Sequence, residues 1–301
     1  MGKTTIASKF PKSLLLAFEK GYNALAGVMA QPINSWAEFL KVTRQLKDET
    51  VKEKFETVII DTADIAYQYC EKYICANNGV DTIADIPYGK GYGLVGNEFD
   101  EKLRSIVQMG YGIVLISHST DKTFKDEAGN EYNKIVPTLD KRANNIVARM
   151  ADIIGYSRAV TDEGGNNKTM LFMRGTQRFE AGSRFKYTPD YIEFSYTNLV
   201  NAIADAIDKQ AKEDGSELYT NERENDYKDT STLLNFDDLM TEFNGLITKF
   251  QEDEVKMNEY YAPRITEIIE RYLGKGKKVN EMSRTQTEQL SLIIDDLKIL
   301  Q

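Results

Sequence analysis

The chain has 301 residues, 41% of them hydrophobic and 28% charged, a balance that excludes a disordered chain and leaves room for one large and one smaller domain. The formal net charge of −9 excludes a uniformly basic surface, so any nucleic-acid site has to be local. No apolar run approaches the roughly 18 to 20 residues of a membrane helix, and no signal peptide is visible, which together predict a cytoplasmic protein. The two cysteines, Cys70 and Cys75, are interpreted as free thiols, because residues five apart on a helix face different directions.

A phosphate-binding tripeptide opens the chain. Gly2-Lys3-Thr4, followed by helix-compatible residues, is the second half of a Walker A loop. In such a loop, backbone N–H groups and the helix N-terminus hold phosphate, the lysine reaches the β- and γ-phosphate oxygens, and the threonine hydroxyl ligates Mg²⁺. Because the tripeptide alone is a weak signal, its interpretation depends on the motifs that follow.

Three apolar strands each end in a polar side chain. The strands are predicted over residues 13–18, 57–60 and 112–117, and they lead into Glu19, Asp61 and His118. Asp61 has the Walker B arrangement and would hold magnesium, and Glu19 is placed to activate a water. His118, the single histidine, follows Ser117 at the edge of an open α/β sheet where ligands bind. Taken one at a time, each motif also fits a structural residue; their order along the chain favours a site.

The remaining pattern up to residue 210 predicts an α/β domain with a largely parallel sheet. Further strands are expected over 153–156, 169–174 and 191–194, and an amphipathic helix over 198–209 closes the domain. Between the third and fourth of these six strands, Gly129-Asn130 predicts the turn of a hairpin. Basic side chains surround that hairpin, namely Lys122, Lys125, Lys134, Lys141, Arg142 and Arg149.

An acidic stretch, followed by a change from mixed strand and helix patterns to helical patterns only, marks the C-terminal part. Residues 212–229 carry seven acidic and three basic side chains, so residues 211–231 are predicted to be a linker. Residues 232–301 show helical periodicity only, with three apolar stripes interpreted as core. The second stripe stops before Gly274, a C-terminal cap, and the third is predicted to begin in a capping box, Ser283 with Gln286.

The order of these motifs resembles the RecA-like core of P-loop ATPases. In particular, Gly2-Lys3-Thr4-Thr5, the strand ending at Glu19, the strand ending at Asp61 and the strand ending at His118 are similar to the phage nucleotide-binding AAA-type family that includes RecA-like single-strand annealing ATPases. The segments 87–92 and 182–185 also look like that family. The resemblance covers about residues 1–209. It implies a RecA-like P-loop NTPase core with a mostly parallel sheet, to which an all-α extension is added.

What the resemblance implies for the site is specific. Gly2, Lys3, Thr4, Thr5 and Asp61 would bind ATP, with Thr4 and Asp61 holding Mg²⁺. Glu19 would be the catalytic glutamate and His118 a sensor of the γ-phosphate or of DNA. One of the three arginines Arg174, Arg178 and Arg184 would reach the γ-phosphate of a neighbouring subunit as an arginine finger, and Arg184 is the predicted one.

The resemblance also implies partners. A homo-oligomer acting on single-stranded DNA in the host bacterium is expected, with a single-strand-binding or recombination protein as a further partner. The DNA-facing residues would be Lys122, Lys125 and Lys134 of the hairpin, with Lys90 and Tyr92 of the glycine-rich segment 88–96. The alternatives are a charged surface loop for the hairpin, since acids are interspersed, and a hinge before a helix from Glu98 for the segment.

One departure from the family pattern predicts an N-terminally truncated chain. A complete member would carry about ten to thirty residues before Met1, supplying a central strand and the first half of the phosphate loop. Two other functions therefore stay open. One is a noncatalytic P-loop scaffold that works through protein contacts, and the other is an ATPase that acts on a protein partner.

Overall fold

The computed structural model describes residues 2–22, 25, 27–161, 164–215 and 235–300. The chain forms two compact units, Met1–Tyr219 and Thr220–Gln301. Within the described residues, every strand lies in the first unit, and the second unit is helical. In the same part of the chain, no helix combines the length and the hydropathy needed to cross a membrane.

A parallel sheet forms the centre of the first unit. Helices lie between β2 and β3 and between β3 and β4, because successive parallel strands need a crossover connection. In chain order the elements are α1 (Lys3–Ala7), β1 (Ser13–Ala17), β2 (Met29–Pro32), α2 (Trp36–Gln45), α3 (Glu49–Lys52), β3 (Thr57–Asp61), α4 (Ala63–Asn77), the 3-10 turns Ile83–Asp85 and Pro87–Gly89, α5 (Lys90–Gln108) and β4 (Gly112–Ile116).

The four strands pair in the order β2-β1-β3-β4, and every pair is parallel. The predicted α/β core with a mostly parallel sheet is confirmed. β1 and β3 are unbroken apolar runs because both of their faces are covered. Leu16 and Ile60 belong to one core cluster, which contains the buried Trp36 of α2, whereas Leu15 and Ile59 belong to another that includes Ala7 of α1.

The strands that follow β4 pair antiparallel in small sheets. The elements are β5 (Ser119–Lys125), β6 (Glu131–Pro137), α6 (Lys141–Met150), β7 (Ile153–Ile154), β8 (Tyr156–Thr161), β9 (Asn167–Phe172), β10 (Gly182–Ser183), β11 (Tyr191–Glu193) and α7 (Tyr196–Asp214). The sheets are β5-β6, β10-β7 and β11-β9-β8. The predicted late strands therefore form outside the parallel sheet, and the one expected over 153–156 is split at Gly155 between two sheets.

Two further predictions in the first unit are tested directly. The hairpin forms as expected, with Gly129 at φ 85° between β5 and β6. The segment 88–96, predicted as a loop or hinge, is instead helical from Lys90 onwards, so the helix expected from Glu98 starts earlier. β2 was not predicted. The helix over 198–209 is present and longer, since α7 runs from Tyr196 to Asp214.

The second unit is a helical assembly around its own core. Its elements are α8 (Phe236–Gln251), α9 (Glu254–Lys256), a π-helical turn (Met257–Tyr261), α10 (Ala262–Leu273), a 3-10 turn (Val279–Glu281) and α11 (Thr287–Ile299). The three predicted apolar stripes meet in this core, which is confirmed by the buried residues Phe243, Leu246, Phe250, Ile265, Ile268, Leu290, Ile293, Ile294 and Leu297. Gly274 caps α10 at φ 95°, as predicted.

The predicted start of the last helix is wrong. α11 begins at Thr287, and Gln286 is its N-cap residue. The backbone N–H of Ser283 does donate to the Gln286 side chain over 2.8 Å, as in a capping box. However, the Ser283 hydroxyl pairs with the hydroxyl of Thr285 at 2.7 Å, so it does not cap the helix. The first four residues of the predicted linker belong to α7, and most of the rest, with the boundary at 231, lies outside the described residues.

Candidate active site

The register of the parallel sheet brings three strand ends to one place. Ala17 of β1 pairs with Asp61 of β3, and Asp61 pairs with Ile116 of β4. The carboxyl ends of parallel strands form one edge of the sheet, where ligands of α/β proteins bind. Glu19 and His118, which follow β1 and β4, therefore lie close to Asp61.

The helix α1 adds the opening tripeptide to this edge. Gly2, at φ 92°, turns the chain into α1 at Lys3. The Thr4 hydroxyl donates a hydrogen bond of 2.7 Å to Asp61 Oδ2. Lys3 Nζ donates to the carbonyl oxygen of Ser117 over 3.0 Å. An ammonium group, a hydroxyl and a carboxylate thus meet at the ends of β3 and β4.

The surroundings of Asp61 raise the pKa of its carboxyl group above the ordinary value of 3.8. Burial is the largest cause, and the neighbouring Glu19 carboxylate acts in the same direction. The hydrogen bond from Thr4 and the charge of Lys3 act against this shift. A cation bound to the Asp61 carboxylate would therefore relieve an unfavourable desolvation.

Glu19 is held by two side chains of the neighbouring strand ends. His118 Nε2 lies 3.1 Å from Glu19 Oε1, and the Thr62 hydroxyl donates to the same oxygen over 3.4 Å. The backbone of the segment is fixed as well, because the N–H groups of Phe18 and Glu19 donate to the Asp61 carbonyl at 2.7 and 3.2 Å. The Glu19 carboxylate is thus positioned at the sheet edge.

Asp64, in the first turn of α4, is a member of this site that the sequence reasoning missed. The Ser117 hydroxyl donates to Asp64 Oδ1 over 2.5 Å, and the backbone N–H of His118 donates to Asp64 Oδ2 over 3.3 Å. The His118 carbonyl also accepts from the Thr138 backbone N–H at 2.9 Å. An acid three residues after Asp61, at a helix start, could have indicated Asp64. Nothing in the sequence pointed to Thr138.

The predicted arginines lie in other contacts. Arg184 Nη1 pairs with Asp152 at 3.1 Å, and its Nη2 donates to the carbonyl of Arg149. Arg174 donates to three backbone carbonyls, those of Ser183, Phe185 and Lys186. Arg174 therefore has a structural role, and Arg184 contacts Asp152 and Arg149 rather than the Asp61 site. Thr5, also predicted to bind nucleotide, lies exposed on α1.

The predicted DNA-facing residues fall in two places. Lys122 and Lys134 lie directly opposite each other in the exposed hairpin, and Lys125 pairs with Glu131 at 3.5 Å. Lys90 and Tyr92 lie in the first turn of α5, not in a loop.

These features define an α/β core of the P-loop NTPase type, with a lysine, a threonine and an aspartate at the carboxyl edge of its parallel sheet. Residues 1–185 match the family described as AAA domain, and the chain belongs to that family. Membership indicates a nucleotide-binding protein of the ATPase kind. The chain is also similar to the SPbeta prophage-derived uncharacterized protein YorG of Bacillus subtilis (strain 168), with 35% identity over 309 residues, which cover 100% of this chain and 90% of that protein. No solved structure matches the chain.

Proposed function

We propose that this protein binds ATP with Mg²⁺ and hydrolyses it, and that the hydrolysis serves phage DNA recombination or single-strand annealing. One observation carries the first part. The Thr4 hydroxyl lies 2.7 Å from the Asp61 carboxylate, beside the Lys3 ammonium group, at the sheet edge where α/β proteins bind ligands.

The donor set fits magnesium. Mg²⁺ prefers oxygen ligands and takes one or two carboxylates from the protein, leaving its other positions to water and phosphate oxygens. A hydroxyl and a carboxylate in contact supply such oxygens. Burial raises the pKa of Asp61, and among the described residues no ion-pair partner lies within 4.0 Å of its carboxylate. A bound divalent cation would supply the positive charge that this carboxylate lacks, which supports the fit. Bound Mg²⁺ would neutralise charge on the phosphate oxygens.

The side chains have distinct proposed roles in hydrolysis. Lys3 would release the Ser117 carbonyl and contact the β- and γ-phosphate oxygens. Glu19 would orient the attacking water and accept its proton, since its carboxylate lies at the same edge. His118 would sense the γ-phosphate through its contact with Glu19. Arg184 of a second copy would act as the arginine finger in an oligomer.

The link to DNA rests on the hairpin β5-β6. Its two strands leave from the site itself: Ser119 follows His118, and Thr138 at the other end bonds the His118 carbonyl at 2.9 Å. The opposed Lys122 and Lys134 put two positive charges on one face of it, which suits phosphate contacts. The prophage-derived relative supports a phage context.

Nucleotide binding is the direct test. Titration with ATP and Mg²⁺, followed by calorimetry, should show that Lys3→Ala weakens binding about 10- to 100-fold, as expected for a lost charge-assisted contact. Lys9→Ala is the matched control, because it removes the same charge from an exposed position beyond α1. Equal affinities for the two variants would contradict the proposed site.

A second measurement tests the DNA role. Phosphate release should rise when single-stranded DNA is added, if the hairpin couples DNA to His118. ATP turnover that is unchanged by single-stranded DNA would contradict the DNA-directed role and favour an ATPase acting on a protein partner.

A further inference from the structure

A basic groove lies between α5 and α6, outside the candidate active site. Its volume is about 510 Å³, and its lining includes Tyr92 of α5 with Lys141, Arg142, Asn145 and Arg149 of α6. Those four residues of α6 are exposed, and positions 141, 145 and 149 recur at the fourfold spacing that puts side chains on one helix face. At 1.5 Å per residue, this face runs for about 12 Å.

Arg142 is positioned across α5 rather than free in solvent. Its side chain passes over Gly96 so closely that a Cβ there would lie 2.8 Å from Arg142 Cδ. Its guanidinium carbon then lies 5.9 Å from the centre of the Tyr92 ring, within cation–π range. Tyr92 nevertheless keeps 44% of its surface exposed, so one part of the ring is available to a ligand.

The groove is a positive region on a negatively charged protein. Among the described residues, no carboxylate lies within 4.0 Å of the charged groups of Lys141, Arg142 or Arg149, although such pairs are frequent elsewhere in the unit. Asp140 is the acid in the lining, and its carboxylate accepts from the Arg142 backbone N–H as the cap of α6. With a net charge of −9, most of the surface would not attract a polyanion, so binding would be confined to local basic regions such as this groove and the hairpin β5-β6.

We propose that this groove binds the sugar-phosphate backbone of single-stranded DNA, with a base stacked on Tyr92. The inference rests on the proposed DNA-directed function and gives it a second surface besides the hairpin. Lys141 and Arg149 at the two ends of this helix face, together with Arg142 over the Tyr92 ring, offer three cations to the phosphates of one strand. The exposed part of the Tyr92 ring suits an unpaired base. A duplex offers the same phosphates but keeps its bases stacked, so the ring favours single strands.

The test is the binding of fluorescein-labelled oligo(dT) to the full chain, measured by anisotropy over a range of salt concentrations. A triple variant, Lys141→Gln with Arg142→Gln and Arg149→Gln, should weaken binding about 10- to 100-fold at low salt. The slope of log affinity against log salt should fall by about 2, since each single-strand phosphate contact contributes about 0.7. Tyr92→Ala should weaken binding about fivefold or more, and Tyr92→Phe should not.

The matched control neutralises three exposed lysines of the helical unit, Lys275, Lys277 and Lys278, and so changes the net charge equally. Equal weakening of binding by the two triple variants would overturn the proposed groove, while the DNA-directed function would stand. Loss of oligo(dT) affinity in a hairpin variant alone, Lys122→Gln with Lys134→Gln, would likewise overturn the groove and leave the DNA-directed function standing. Failure of the unaltered chain to bind oligo(dT) at all would instead contradict the DNA-directed function.

Discussion

Three glycines of α5 allow helix propensity to be separated from packing. A Cβ at Gly93 would meet no heavy atom within 4 Å, a Cβ at Gly91 would lie 2.4 Å from the Ile83 carbonyl oxygen, and a Cβ at Gly96 would lie 2.8 Å from Arg142 Cδ. Alanine in a helix is more stable than glycine by about 0.5–1 kcal/mol. Gly93→Ala should therefore stabilise the first unit by that amount.

The other two glycines are constrained by different neighbours. The Ile83 oxygen belongs to the backbone, so Gly91→Ala forces the 3-10 turn away from α5. Overpacking of this kind costs about 1–3 kcal/mol, which leaves a net loss of up to about 2.5 kcal/mol after the propensity gain of about 0.5–1 kcal/mol. Arg142 is a flexible side chain, so Gly96→Ala should be close to neutral for stability. It should, however, displace Arg142 from Tyr92 and weaken oligo(dT) binding.

The assay is thermal unfolding followed by the fluorescence of Trp36. This is the single tryptophan, and it is 1% exposed in the core of the first unit, so it reports on that unit. For a unit of this size, 1 kcal/mol shifts the melting temperature by about 2–4 °C. A rise of the melting temperature in Gly91→Ala equal to that in Gly93→Ala would refute the packing of α5 on residues 83–86.

Three further substitutions test the candidate site, the core of the helical unit and the hydrogen bonds of Arg174. Asp61→Asn should raise the melting temperature of the metal-free chain at neutral pH, because folding raises the pKa of Asp61. The gain should shrink as the pH falls and vanish well below 3.8, the pKa of the unfolded group, where Asp61 is protonated in both states. Leu290→Ala should cost the helical unit about 2–5 kcal/mol in urea unfolding, as its side chain is fully buried. Arg174→Met should destabilise the first unit by about 2 kcal/mol in urea, because three carbonyls lose a donor.

Each of these has its own contradicting result. A pH-independent gain in Asp61→Asn would mean that the stabilisation does not come from ionisation. Leu292→Ala is the control for Leu290→Ala, because Leu292 is 48% exposed; equal losses would contradict the core of the helical unit. Arg178→Met, at an exposed position, is the control for Arg174→Met, and equal effects would contradict the role of the three carbonyls.

Strand-end side chains are the part of the candidate site that sequence reasoning could predict. Glu19, Asp61 and His118 each follow an apolar strand, and a parallel sheet in register brings such residues to one edge. The opening tripeptide could be placed beside them because its motif belongs to the same edge. In contrast, Thr138 reaches the site through the return of the hairpin, and sequence spacing does not reveal that return.

The fold departs from the sequence pattern where long-range contacts decide local structure. β2 is an edge strand with an exposed methionine and a proline, Met29 and Pro32, so it lacks the apolar run that predicts a buried strand. The start of α5 departs from the sequence pattern because glycines, which disfavour helices, occupy its first turns. Its glycines predict a loop, yet the helix forms, because the Ile83 carbonyl oxygen leaves no room for a Cβ at Gly91 and the Arg142 side chain packs over Gly96.

The central claim is that the edge holding Lys3, Asp61 and Glu19 hydrolyses ATP, and turnover by Glu19→Gln tests it most directly. Phosphate release by the unaltered chain should require Mg²⁺. Glu19→Gln should bind ATP as before but lower kcat by about 10²- to 10⁴-fold, the usual contribution of a general base. Unchanged turnover in Glu19→Gln, with nucleotide binding intact, would contradict the assignment of this edge as the catalytic site.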